Sequence, residues 1–106
     1  MANVTISVLS TVYVQVPIEA IESGAAIDPT SDTVKMAFMA AWAPPGSGDW
    51  KTAVWDTSTA PGIYLAQCLV GPAGTVTLAT GTYDIWVQIS ASPETPVLQG
   101  GTLTIT

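Results

Sequence analysis

The sequence predicts a single all-β sandwich. Three observations carry that expectation: hydrophobic residues alternating with a period of two, turn signals about every ten residues, and one strand opening shaped like a tyrosine corner. Val4-Thr5-Ile6-Ser7-Val8 alternates strictly, with the apolar residues at even positions, and Val12, Val14 and Val16 continue the pattern against Tyr13 and Gln15. Such alternation marks a sheet with one face on a core. Pro17 has no amide hydrogen to give a ladder, which makes its segment an edge strand or a strand end.

Ser23-Gly24 and Asp28-Pro29-Thr30-Ser31-Asp32 are turn chemistry on either side of a short Ala25-Ala26-Ile27 piece. From Thr33 to Trp42 the bulky residues Val34, Met36, Phe38 and Trp42 share one face with Ala40. Lys, Met and Ala also suit a helix, but the alternation and the closing Pro44-Pro45 favour a strand. Ala43 to Asp49 reads as a loop, Trp50 to Trp55 as a short strand, and Asp56 to Gly62 as a second loop. Ile63 to Val70 is a strand ended by Gly71-Pro72-Ala73-Gly74, and Thr75 to Leu78 is another.

In Leu78-Ala79-Thr80-Gly81-Thr82-Tyr83, the Leu, the Gly and the Tyr that opens an alternating strand match the corner of a Greek-key sandwich. There the Tyr hydroxyl bonds back to upstream main chain and pins the crossover between sheets. Tyr83, Ile85, Val87 and Ile89 share the core face. Ser92 to Pro96 reads as a hairpin tip, Val97-Leu98 and Thr102 to Ile105 as the last strand, and Gly100-Gly101 as a bulge. The expectation is an immunoglobulin-like Greek-key sandwich of about seven to eight strands spanning residues 1–106 as one domain.

Hydrophobic residues make up 48% of the chain, which excludes intrinsic disorder. Charged residues make up only 9%, well below the roughly 25% usual in soluble domains. A surface so short of charge suits a protein partly covered by neighbours. The net charge is −6, and Lys35 and Lys51 are the only basic residues. That balance repels phosphate backbones and anionic lipid, so neither a nucleic acid nor a membrane is an expected partner. No basic n-region with an apolar h-region opens the chain, so no signal peptide is expected. The Asn3-Val4-Thr5 sequon is accordingly read as chance.

The sequence has no His, which removes the commonest proton shuttle and metal ligand. The carboxylates Glu19, Glu22, Asp28, Asp32, Asp49, Asp56, Asp84 and Glu94 are scattered and read as solvated turn residues and caps. Asp28 and Asp32 flank one turn near Glu22, without the spacing of a calcium loop. No catalytic residue, metal or cofactor is expected. Cys68, the lone cysteine, lies in an apolar run and reads as a buried small hydrophobe.

Four Trp residues stand out. Trp42 ends a core-facing register and is the expected buried Trp of the sandwich. Trp86 alternates against the core face and should point outward. Trp50 and Trp55 bracket a strand beside two Gly/Pro loops, at a spacing that forbids one regular face. Exposed Trp is enriched at binding hot spots, so Trp86, Trp50 and Trp55, with Pro44, Pro45 and Gly46 of the adjoining loop, are the candidate partner contacts. Tyr83, Leu78, Gly81 and Trp42 are the candidate structural residues.

Tyr13-Val14-Gln15-Val16-Pro17-Ile18-Glu19, Gly24 to Thr30, Gly81-Thr82-Tyr83-Asp84-Ile85-Trp86-Val87 and Ser92 to Pro96 together resemble small proteins encoded among the head and tail genes of actinobacterial phages and prophages. The resemblance spans most of the chain and rests on fold and turn motifs. It implies an immunoglobulin-like virion structural protein, made in the host cytoplasm, that decorates a capsid or joins head to tail in many copies. Its implied partners are capsid, connector or tail subunits. A carbohydrate- or cell-surface-binding module with Trp50, Trp55 and Trp86 as a stacking platform is the alternative.

Overall fold

The computed structural model describes residues 2–18, 20–22, 25–27, 32–40, 43–56, 64–90, 95 and 97–106. Its strands are β1 (Ala2–Ile6), β2 (Val12–Ile18), β3 (Ala20–Glu22), β4 (Ala25–Ile27), β5 (Thr33–Ala40), β6 (Lys51–Thr52), β7 (Val54–Asp56), β8 (Tyr64–Val70), β9 (Gly81–Ser90) and β10 (Val97–Ile105). No helix occurs among the described residues.

Five strands form one sheet in the order β1-β10-β9-β5-β6, and three form the other in the order β2-β8-β7. β3 and β4 pair with each other in the connection from β2 to β5. The first strand runs parallel to the last, Ala2 beside Gly101 through Ile6 beside Ile105. Lettered along the chain, the sheets are A′GFCC′ and BED, the strand order of an immunoglobulin-type sandwich. The Pro17 expectation holds, because β2 ends its sheet.

The core lies where alternation places it. Val34 and Met36 of β5, Ile85, Val87 and Ile89 of β9, and Leu103 and Ile105 of β10 are buried against Val14, Val16 and Ile18 of β2 and Ala66, Cys68 and Val70 of β8. Each aliphatic side chain so buried contributes about 1.5–3 kcal/mol over its exposed state. The Gly100-Gly101 bulge is present as a register shift between Gln99 and Gly101. Gly101 takes a φ of 133°, and a Cβ on Gly100 would lie 2.7 Å from Val16 Cγ1. A side chain there would drive β10 off the opposite sheet.

Three expectations need correction. Trp50 to Trp55 is not one strand: β6 pairs with β5 and β7 with β8. Between them Ala53, buried, donates its N–H to the Val34 carbonyl at 3.2 Å, and there the chain leaves one sheet for the other. Thr75 to Leu78 is not a strand either. The Gly71–Gly74 turn folds the chain back, so only Val76 bridges to Val70, and its side chain plugs the core. Finally, β1 stops at Ile6, and Val8 stands 39% exposed beyond the last pairing with β10.

Candidate contact surface

The tyrosine corner forms as the residue types demand. Leu78 packs against the core, Gly81 takes a φ of 153°, and the Tyr83 hydroxyl donates to the Ala79 carbonyl at 2.8 Å. A Cβ on Gly81 would meet the Tyr83 ring only at ordinary contact distance, 3.9 Å, so glycine is needed there for its backbone rather than for space. Tyr83→Phe removes one bond and keeps the ring. It is expected to lower stability by about 1 kcal/mol, read as a shift of the urea midpoint at constant slope.

Trp86 lies on the outer face of the five-stranded sheet, opposite Ala37 on β5 and Gln99 on β10. Ala37 is fully buried although it faces outward. An alanine on an outer face is covered only by a large neighbour, and the indole directly across the ladder has that size. The Trp86 Nε1 is itself buried and finds no acceptor. An orphaned buried donor costs about 1–3 kcal/mol. Trp86→Phe removes the donor and keeps most of the ring, so stability should stay within about 1 kcal/mol of the parent or rise. A guanidinium titration beside Trp86→Ala, which should lose about 2 kcal/mol or more, checks this.

The remaining candidates do not gather around Trp86. Trp55 sits on the core side of β7 opposite Ala66, packs against the core, and donates its indole N–H to the Asp32 carbonyl at 2.9 Å. It therefore leaves the candidate contact set. Trp50 is half-buried just before β6, while Pro44 and Gly46 are exposed and Pro45 is half-buried. That loop is a built turn: Asp49 Oδ2 accepts from the Gly46 N–H at 2.8 Å, and the Asp49 N–H donates to the Gly46 carbonyl at 3.1 Å. Asp49 also lines a cleft of about 200 Å³ with Lys51, Phe38, Met39, Val76 and Leu78. Trp42, Asp28 and the Ser92–Glu94 tip lie outside the described residues.

On the outer face of the three-stranded sheet, the Gln15 side-chain amide donates to Asp56 Oδ2 at 3.0 Å and to Gln67 Oε1 at 2.7 Å. Cys68 faces the core and its thiol points to the Thr52 carbonyl at 3.6 Å. Burial pushes that thiol up to about 11, with the Lys51 charge acting in the opposite, smaller sense. It stays protonated at neutral pH, when it is a poor nucleophile.

Sequence reasoning missed one feature. Val8, Leu9, Val12 and Tyr13 are exposed by 39%, 84%, 37% and 54%. Val8 and Leu9 lie in the turn from β1 to β2, Val12 and Tyr13 open β2 on its two opposite faces, and the turn is held by hydrogen bonds. Ser10 N–H donates to Ser7 O at 2.9 Å, Val8 N–H to Thr106 O at 3.1 Å, and Thr11 Oγ1 to Pro72 O at 2.7 Å. The signal was available in the chain, because residues 1–18 carry no charged side chain.

No protein-family model matches the chain, and neither a curated protein nor a solved structure matches it.

Proposed function

We propose that this chain is a non-enzymatic structural protein of a tailed-phage virion, a capsid-decorating or head–tail component that works through protein–protein contacts. The observation that carries the contact role is the run of exposed apolar residues Val8 and Leu9 in a hydrogen-bonded turn, with exposed Val12 and Tyr13 at the start of β2, on a chain poor in charge. A rigid apolar projection loses little entropy when a partner covers it, and it gains the burial energy of its side chains. The virion setting comes from the resemblance of the Tyr13–Glu19, Gly24–Thr30 and Gly81–Val87 segments to phage head and tail proteins. Trp86, on the outer face of the larger sheet, is a second contact position. A sugar-stacking row is not favoured, since Trp55 faces the core while Trp86 faces out from the other sheet.

Mass spectrometry of gradient-purified particles from a phage or induced prophage encoding the chain tests this reading. The chain should be found at a multi-copy ratio to the major capsid protein. Particles of normal morphology that lack it would overturn the assignment.

A further inference from the structure

We infer that β1 and β10 form a shear clasp, a device that keeps the domain folded while tension is applied across its two ends. Such tension enters the fold at Ala2 and leaves it at Thr106. The strands at those two ends are direct neighbours, and they run parallel, from Ala2 beside Gly101 to Ile6 beside Ile105. The load therefore passes straight from β1 to β10, and the strands between them in the chain carry little of it until that pair parts.

Strand direction decides how the pair parts. In a parallel pair, the start of one strand and the end of the other lie at opposite ends of the ladder. Pulling them apart slides β1 along β10 and strains every bond of the row at once. A slide of about one hydrogen-bond length breaks the row together. Pulled from a common end, the bonds would open singly, each letting out about 7 Å of chain per strand. The same bond energy spread over that longer path resists with a smaller force.

The row is well built. The Thr106 N–H donates to the Ile6 carbonyl at 2.9 Å, and the Val8 N–H donates to the Thr106 carbonyl at 3.1 Å. Carried down the parallel ladder, that alternation turns the main-chain groups of Val4 toward β10 and those of Thr5 away from it. Asn3 Oδ1 accepts from the Thr102 hydroxyl at 2.7 Å, a side-chain bond across the same pair, and Val4 and Ile6 pack against the core. β10 is the firmer member. Its ladder to β9 runs from Val97 beside Gln88 to Ile105 beside Gly81, and the close seat of Gly100 against Val16 fixes its register. β1 is the strand that slides.

Single-molecule pulling on the full chain in two geometries tests this. In the first, handles are attached before Met1 and after Thr106. In the second, the handle before Met1 is moved to Leu9→Cys, a site 84% exposed just past the end of β1 that lies beside Thr106. Cys68 is buried and does not compete for the label. At equal loading rate, the end-to-end pull should unfold the domain at a peak force about threefold or more above that of the second geometry. Val4→Pro removes an amide that faces β10 and should lower the end-to-end peak, whereas Thr5→Pro, on the free side, should leave it near the parent's. Equal forces in the two geometries overturn the inference, whether or not Val4→Pro folds. An end-to-end peak that Val4→Pro leaves unchanged also overturns it, because the resistance would then lie in another pair of strands.

Discussion

Gly71→Ala is expected to remove about 3–5 kcal/mol of stability or to prevent folding. Gly71 takes a φ of 136°, where an L side chain is strained whatever space surrounds it. Here there is no space either. A Cβ would lie 2.1 Å from the Ser10 carbonyl oxygen and 2.7 Å from Thr11 Cα. Both obstacles are backbone, so no rotamer change relieves them. Moving them would break the Thr11 hydroxyl bond to Pro72 and the Gly71 N–H bond to the Val76 carbonyl, and it would lift Val76 out of the core. A domain of this size has only about 5–15 kcal/mol to lose. Gly48→Ala is the matched control. Its Cβ meets nothing within 4 Å, and it should change stability by no more than about 0.5 kcal/mol. Thermal melts of the two variants beside the parent check the contrast.

That glycine shows where reading the chain stops. Gly71-Pro72-Ala73-Gly74 marks a turn by residue type alone, and the turn is there, closed by the Gly74 N–H to Gly71 O bond at 3.0 Å. What residue types do not reveal is that Ser10 and Thr11, some sixty positions away, press against it. Local signals specify local geometry. Period-two alternation therefore placed Val14, Val16, Val34, Met36, Ile85 and Val87 in the core, and the Leu78-Gly81-Tyr83 spacing located the corner. Residues whose conformation answers to a distant neighbour escaped. Ala53 changes sheets because Val34 offers it a carbonyl, and Val76 returns to the core because the preceding turn aims it there.

The candidate surface was legible to a smaller degree, for a related reason. Alternation separates the two faces of a strand, so it put Trp86 outside. It fails at strand ends and sheet crossings, where the register restarts. Trp55 follows Ala53, and the crossing turns it inward to bond the Asp32 carbonyl. The exposed apolar residues between Val8 and Tyr13 were hidden by the opposite effect. Val8 continues the even-position alternation of Val4 and Ile6, but β1 ends at Ile6, and the turn carries Val8 and Leu9 past the core. A pattern fit for burial reaches solvent when the element bearing it stops early.

The second large effect is expected from Ile85→Ala, about 3–5 kcal/mol by guanidinium titration, at the upper part of the range for such truncations. Ile85 is fully buried in β9, between Phe38 on β5 and Gly101 on β10. How much a truncation costs depends on how far the neighbours can close the cavity. Gly101 has no side chain to contribute, and Gly100 already lies against Val16, so β10 cannot move inward. Phe38 is held between the strand ladder and the cleft beside Leu78. The cavity therefore stays open. The next residue along, Trp86, points to the opposite face and makes the comparison informative. Ile85→Ala should weaken the fold and leave the affinity of the remaining folded molecules for a partner unchanged. Trp86→Ala should cost the fold less and, if that face is covered in the particle, reduce incorporation into virions. Stability and incorporation measured on both variants separate the residue that builds the sheet from the one that the sheet displays.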